Sequence, residues 1–162
     1  MSMDEILRCV RAFPGVLEFA PGPDSDAPEV AWGDHFFYFS PDRTVPINRQ
    51  PYATIVTKNY PDDTGSELDR PDRWRLNIHV GTPLQTELIG TALDRLDLAA
   101  VDHSAVDVFL PHPLYGPYGW VAVVNPGPLT TPRALTALRE AHDADRRRVE
   151  RRSAGRRPSS TE

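Results

Sequence analysis

Three groups of residues in this chain carry side chains able to do chemistry. The first is the run Pro111-His112-Pro113-Leu114-Tyr115-Gly116-Pro117-Tyr118-Gly119-Trp120. It holds an imidazole, two phenols and an indole on a proline-stiffened loop that leads into the apolar stretch Val121 to Val124. Polar aromatic groups on a rigid loop beside a sheet are a common way of lining a pocket. The second group is Arg75, Asn77 and His79, which alternate with Leu76, Ile78 and Val80 and so leave one face of an extended segment. The third is the scattered set His35, His79, His103, His112 and His142, no two of which have the spacing that would put two imidazoles on one helix face.

Two further chemistries are weighed on these residues. Asp34, His35, His79 and His112 could hold a metal ion if separate strands brought them together, and the reaction would then be metal-assisted hydrolysis. Against that, Asp34 in a turn beside Gly33 suits a carboxylate that accepts backbone amides, and His112 could bond within its own loop. Nucleophilic catalysis lacks a motif: Ser40 and Ser104 are not in a Gly-x-Ser-x-Gly elbow, and none of the ten glycines forms a phosphate loop followed by lysine. No catalytic residue is assigned, and no cofactor or resident metal is expected.

Composition bounds the rest. The chain has 162 residues, 40% of them apolar, and is long enough for one domain with a buried core. It begins Met1-Ser2-Met3-Asp4-Glu5, without a basic region followed by an apolar one, and has no run of the length a membrane helix needs. The expected setting is cytoplasmic, with no membrane. Cys9 is the single cysteine, so no intrachain disulfide forms, and its place in a helical apolar pattern suits a buried structural residue better than a nucleophile. Residues 146–162 carry seven arginines against Glu150 and Glu162, a balance of +5; the whole chain is −5, so residues 1–145 carry −10. A body this acidic repels phosphate backbones, whereas the arginine-rich end could contact nucleic acid or another acidic partner.

The elements that must position these groups are legible as patterns. Ser2 with Glu5 reads as a capping box for a helix to about Phe13, with Ile6, Leu7 and Val10 inward. Val16 to Phe19 is a short apolar run. Glu29 to Trp32 and His35 to Phe39, separated by Gly33-Asp34, read as a hairpin, and Ala53 to Thr57 and Trp74 to Val80 as further strands. Thr82 with Gln85 predicts a second helix carrying Leu84, Leu88, Ile89, Leu93 and Leu96, despite Gly90. Ser104 with Asp107 predicts a third, short one. Trp120 to Val124 is a strand, and Thr131-Pro132 opens a last helix with Leu135, Leu138 and Ala141 inward. The expected fold is one α+β domain over residues 1–145, a mainly antiparallel sheet with N-terminal, middle and C-terminal helices. Residues 146–162 are expected to form a tail, partly helical and then disordered from Ser153.

Taken in order, Met3-Asp4-Glu5-Ile6 with Phe13-Pro14-Gly15-Val16, Pro28 to Asp34 with Phe36-Phe37, Ala53 to Thr57, Leu68 to Pro71 with Arg75 to Ile78, Leu110 to Pro113 with Tyr115 and Gly119 to Val121, and Asn125-Pro126-Gly127 resemble a bacterial family, the domain of unknown function family 6194. The resemblance covers about residues 3–142 and implies membership without an activity. More distantly, the layout looks like the MmcQ/YjbR-like proteins, which implies a small α+β fold whose members have been suggested to bind DNA or other ligands. The function expected from the residues is that of a non-enzymatic ligand-binding or interaction module. Arg75, Asn77 and His79 would serve it as polar anchors, with His112, Tyr115, Tyr118 and Trp120 covering them, and its partner would be an unknown small molecule or protein.

Overall fold

In a computed structural model, residues 3–155 are described. The elements run α1 (Met3–Arg11), β1 (Val16–Phe19), β2 (His35–Phe39), β3 (Ala53–Val56), β4 (Arg75–His79), α2 (Thr82–Ile89), β5 (Leu110–Pro111), β6 (Trp120–Val124) and α3 (Thr131–Gly155). The six strands form one sheet in the order β1-β2-β3-β4-β6-β5, with each neighbouring pair antiparallel. This is the α+β arrangement the patterns predict, with helices at the start, middle and end.

Strand alternation divides the sheet into two chemically different faces. Phe37, Ala53, Ile55, Leu76, Ile78, Val121 and Val123 are buried in one cluster with Ile6, Leu7 and Val10 of α1 and Ala134, Ala137, Leu138 and Ala141 of α3. The small residues of α3 let it lie close to the strands. Two buried polar contacts fix it there. His142 lies between the Tyr52 hydroxyl, 3.0 Å from Nδ1, and the Pro14 carbonyl, 2.8 Å from Nε2. Asp145 accepts the Phe39 amide at 2.8 Å and is ion-paired with Arg49. The opposite face carries Phe36, Tyr38, Thr54, Val56, Arg75, Asn77 and Trp120, the residues that alternate with the core set. Register places Thr54 beside Asn77 and Asn77 beside Ala122.

Several local readings are corrected. Glu29–Ala31 is a 3-10 turn, not a strand, and β2 pairs with β1 rather than forming a hairpin across Gly33-Asp34. The reason is Asp34: wholly buried, it accepts the Thr57 amide and hydroxyl and the Tyr60 hydroxyl, which draws the turn toward β3. Thr82 does not cap α2. Gly81 does, at φ 83°, and Gly90 ends the helix in the left-handed region at φ 95°, so Leu93 and Leu96 fall outside it. Ser104 and Asp107 open no helix. Asp107 instead turns its carboxylate to the start of α3, accepting the amides of Gly127, Leu129 and Thr130 and the Thr130 hydroxyl. The last helix runs unbroken through the start of the arginine-rich end to Gly155, so Ser153 to Gly155, expected to be disordered, are helical. The remainder of the expected disordered end, Arg156 and Arg157 among it, lies outside the described residues, as does Ser2 of the first capping box.

The loop before β6 is held by more than its prolines. Gln85 of α2, buried, donates to the carbonyls of Gly116 at 2.6 Å and Trp120 at 3.0 Å. The Gly119 carbonyl accepts the amides of both Val80 and Gly81. Gly119 has φ +88°, and a Cβ there would stand 2.9 Å from Gly81 Cα. Both facts predict that Gly119→Ala destabilises the fold by about 2 kcal/mol, lowering Tm by roughly 6 °C, as measured by thermal or urea unfolding.

Candidate functional site

Arg75 sits at the centre of the polar face and is almost completely buried, 2% exposed. A guanidinium in such a place must have its N–H groups satisfied. Nε donates to Asn77 Oδ1 at 2.8 Å, Nη1 to Asp63 Oδ1 at 3.0 Å and Ser66 Oγ at 2.9 Å, and Nη2 to Asp63 Oδ2 at 2.5 Å. Asp63 and Ser66 come from the connection between β3 and β4, which folds over the strand face and buries it. Burial by itself would raise the Asp63 carboxyl, but the bonds and charge of Arg75 hold it below the usual carboxylate range. Asn77, its oxygen committed to Arg75, donates through Nδ2 to Thr54 Oγ1 at 2.9 Å.

The loop before β6 lays His112 across this floor. His112 is 6% exposed. Its Nδ1 accepts the backbone amides of Leu114 at 3.1 Å and Tyr115 at 3.0 Å, which curls the loop round the ring. Its Nε2 lies 3.3 Å from Arg75 Nη2. Burial, and after it the Arg75 charge, lowers its pKa to about 3, so the ring is neutral at pH 7. Tyr115 lies over it, ring centroids 4.8 Å apart, and Trp120 meets both rings at 6.3 Å.

Together these residues form a cleft of about 310 Å³ whose floor is Thr54, Arg75, Asn77 and His112, with Phe36, Tyr38, Tyr60, Leu114, Tyr115 and Trp120 as walls. Of the seven residues the sequence singles out, five line it: Arg75, Asn77, His112, Tyr115 and Trp120. His79 and Tyr118 do not. His79 meets Trp120 at a tilt, ring centroids 5.5 Å apart, and bonds the Tyr118 carbonyl at 3.1 Å, in a separate hollow beside Glu140 and Arg148 of α3. The Tyr118 side chain is 71% exposed.

Sequence reasoning missed Asp63, Ser66 and Tyr60. A run of Asp and Ser with a tyrosine, next to a strand presenting an arginine, was the available signal. Tyr60 is oriented by Asp34, whose carboxylate also takes Lys58, the only lysine of the chain, at 3.2 Å. Asp34 is therefore the turn carboxylate that accepts an amide, and it anchors the cleft wall.

The proposed metal set does not converge. Asp34 is bound to Thr57, Lys58 and Tyr60, His35 to Glu18 at 2.6 Å, His79 to Tyr118 and His112 to its own loop. Among the described residues no three His, Cys, Asp or Glu side chains are grouped to hold a metal ion.

A pH dependence follows from His112. Its pKa in the fold lies below the value near 6.5 of a free imidazole, so the unfolded chain takes up the proton first. The stability this group confers is complete above pH 6.5 and is lost as pH falls toward 3. Between pH 7 and pH 5 the loss from His112 is about 2 kcal/mol. His103 and His142, lowered chiefly by burial, add to it in the same direction. Urea unfolding at the two pH values should show the wild-type loss shrinking by about 2 kcal/mol in His112→Asn.

No curated protein and no solved structure matches the chain. A family model does match, over residues 1–154, and it spans every strand of the sheet and all the residues of the cleft. The chain thus belongs to the family of unknown function DUF6194.

Proposed function

We propose that this protein is a cytosolic, non-enzymatic binding module that takes a small molecule in the cleft over β4. The observation that carries the reading is a buried, hydrogen-bonding floor enclosed by aromatic walls, at a volume near the lower end of ligand pockets. The buried side chains that could act as acid or base at the floor are already occupied, and Asp62 stands exposed at the cleft wall. Asp63 is locked to Arg75, and His112 is neutral with its lone pair given to two amides. Such a floor recognises and orients; it has no free base to move a proton. The distant likeness of layout to MmcQ/YjbR-like proteins belongs to the same proposal, as kinship of fold only.

Other support is physical. No helix among the described residues is long and apolar enough to cross a membrane. Hydrolysis has lost the ligand set on which it was based. Five arginines of the basic end, Arg146 to Arg148 with Arg151 and Arg152, ride on α3, and Arg148 is drawn toward Asp145 at 3.4 Å.

The test is a panel of small molecules scored by calorimetry and thermal shift against the wild type and two variants. Tyr115 is 41% exposed and lines the cleft, so Tyr115→Ala should leave Tm nearly unchanged and weaken the best binder about tenfold. Tyr118→Ala, off the cleft, should bind as the wild type does. Equal affinity in all three proteins would refute the reading.

A further inference from the structure

The deep end of the cleft contains an unresolved conflict between hydrogen-bond donors. Three N–H groups point at the two nitrogens of His112: the amides of Leu114 and Tyr115 at Nδ1, and Arg75 Nη2 at Nε2. A neutral imidazole has one lone pair to offer and one proton to place. If Nδ1 accepts, the two amides at 3.1 and 3.0 Å are satisfied, and Nε2 carries the proton toward Arg75 Nη2 at 3.3 Å. The other tautomer satisfies Arg75 but turns an N–H against two amides at closer range. The first arrangement leaves fewer and longer clashes. It also leaves two neighbouring donors, Nε2–H of His112 and the fifth N–H of Arg75, without an acceptor. Both side chains are more than nine-tenths buried and both line the cleft.

Resting on the cleft being a ligand site, we propose that these two donors bind one neutral carbonyl oxygen, of the carboxamide or cyclic-amide class, borne on a flat aromatic-sized ligand. A carbonyl oxygen has two lone pairs in one plane and can accept both N–H groups at once. Neutrality follows from charge. Arg75 is already matched by Asp63 in a bidentate pair, and Asp62 stands on the same wall, so a carboxylate would add an unmatched buried negative charge. Flatness follows from the walls: Tyr38, Tyr115 and Trp120 present ring surface about a cleft of 310 Å³, room for a one- or two-ring body. Asn77 supports the same polarity. With its oxygen held by Arg75 Nε, its amide donates to Thr54, whose hydroxyl proton is then left for a ligand acceptor.

Two measurements on the intact protein test this. Imidazole nitrogen-15 NMR of the free wild type should show His112 as the neutral Nε2–H tautomer at pH 7; an Nδ1–H tautomer would overturn the proposal. Titration with benzamide, benzoate and toluene, three probes of one size, then separates the sources of affinity. Benzamide should bind at least about tenfold more tightly than either of the others and shift the His112 Nε2–H and Arg75 side-chain resonances. Toluene binding as well as benzamide would sink the carbonyl proposal and leave the cleft reading standing. Tighter binding of benzoate with proton uptake would make the site one for anions and overturn neutrality. If none of the three binds at millimolar concentration, this inference falls, and the cleft reading is decided by the panel of small molecules against the Tyr115 and Tyr118 variants.

Discussion

The polar half of this molecule depends on one interaction, the buried ion pair between Arg75 and Asp63. A guanidinium placed on a sheet face with 2% exposure is stable only if its charge and its N–H groups are met on the spot. Asp63 meets the charge with two bonds, and Ser66 and Asn77 take two more N–H groups. Meeting them requires the connection between β3 and β4 to arch back over the sheet. That arch forms one wall of the cleft and is pinned at its root by Tyr60 on Asp34. Removing one partner of such a pair leaves an uncompensated buried charge, at a cost of about 3 to 5 kcal/mol, whereas an intact pair adds little net stability. The pair is better understood as a device of shape. It makes one arrangement of the connection far more favourable than its competitors.

The second wall is shaped in the same way, by groups that must find partners. His112 collects the amides of Leu114 and Tyr115, so the loop closes round the imidazole. Gln85, reaching from α2, takes the Gly116 and Trp120 carbonyls. Gly119 permits the sharp entry into β6, with Gly81 against it. Each contact satisfies a backbone group that burial would otherwise leave unpaired. What they leave over bears on the proposal above: Arg75 Nη2 and His112 Nε2 lie 3.3 Å apart at the deep end of the cleft, where an outside acceptor would meet them.

The fold was legible wherever apolar period and burial agreed. Ile6, Leu7 and Val10 marked α1, Leu76 and Ile78 set the core face of β4 and thereby the polar face of Arg75 and Asn77, and Val121 to Val124 marked β6. Misreadings clustered where a polar side chain serves a distant segment instead of its own. Gln85 looked like a capping residue and reaches a loop 31 residues on; Asp107 looked like part of a box and caps the helix after β6. Asp34 looked like the tip of a hairpin and binds β3's exit. Local motifs assign a polar group to the nearest backbone, and tertiary structure reassigns it wherever a buried donor lies closer in space.

By itself, the sequence determined the two-faced sheet, the acidic body with a basic end, the proline-rich loop from Pro111 to Trp120 and the candidacy of Arg75, Asn77, His112, Tyr115 and Trp120. These are properties of composition and of period 2 and 3.6, which need no knowledge of distant partners. Only the tertiary structure decided that Arg75 is buried rather than offered to solvent, that Asp63 is its counterion, that His79 turns away from the cleft and that His112 is buried against Arg75. Those facts depend on which groups meet across 12 to 39 residues of chain, and on the rule that a buried charge or N–H must be matched where it lies.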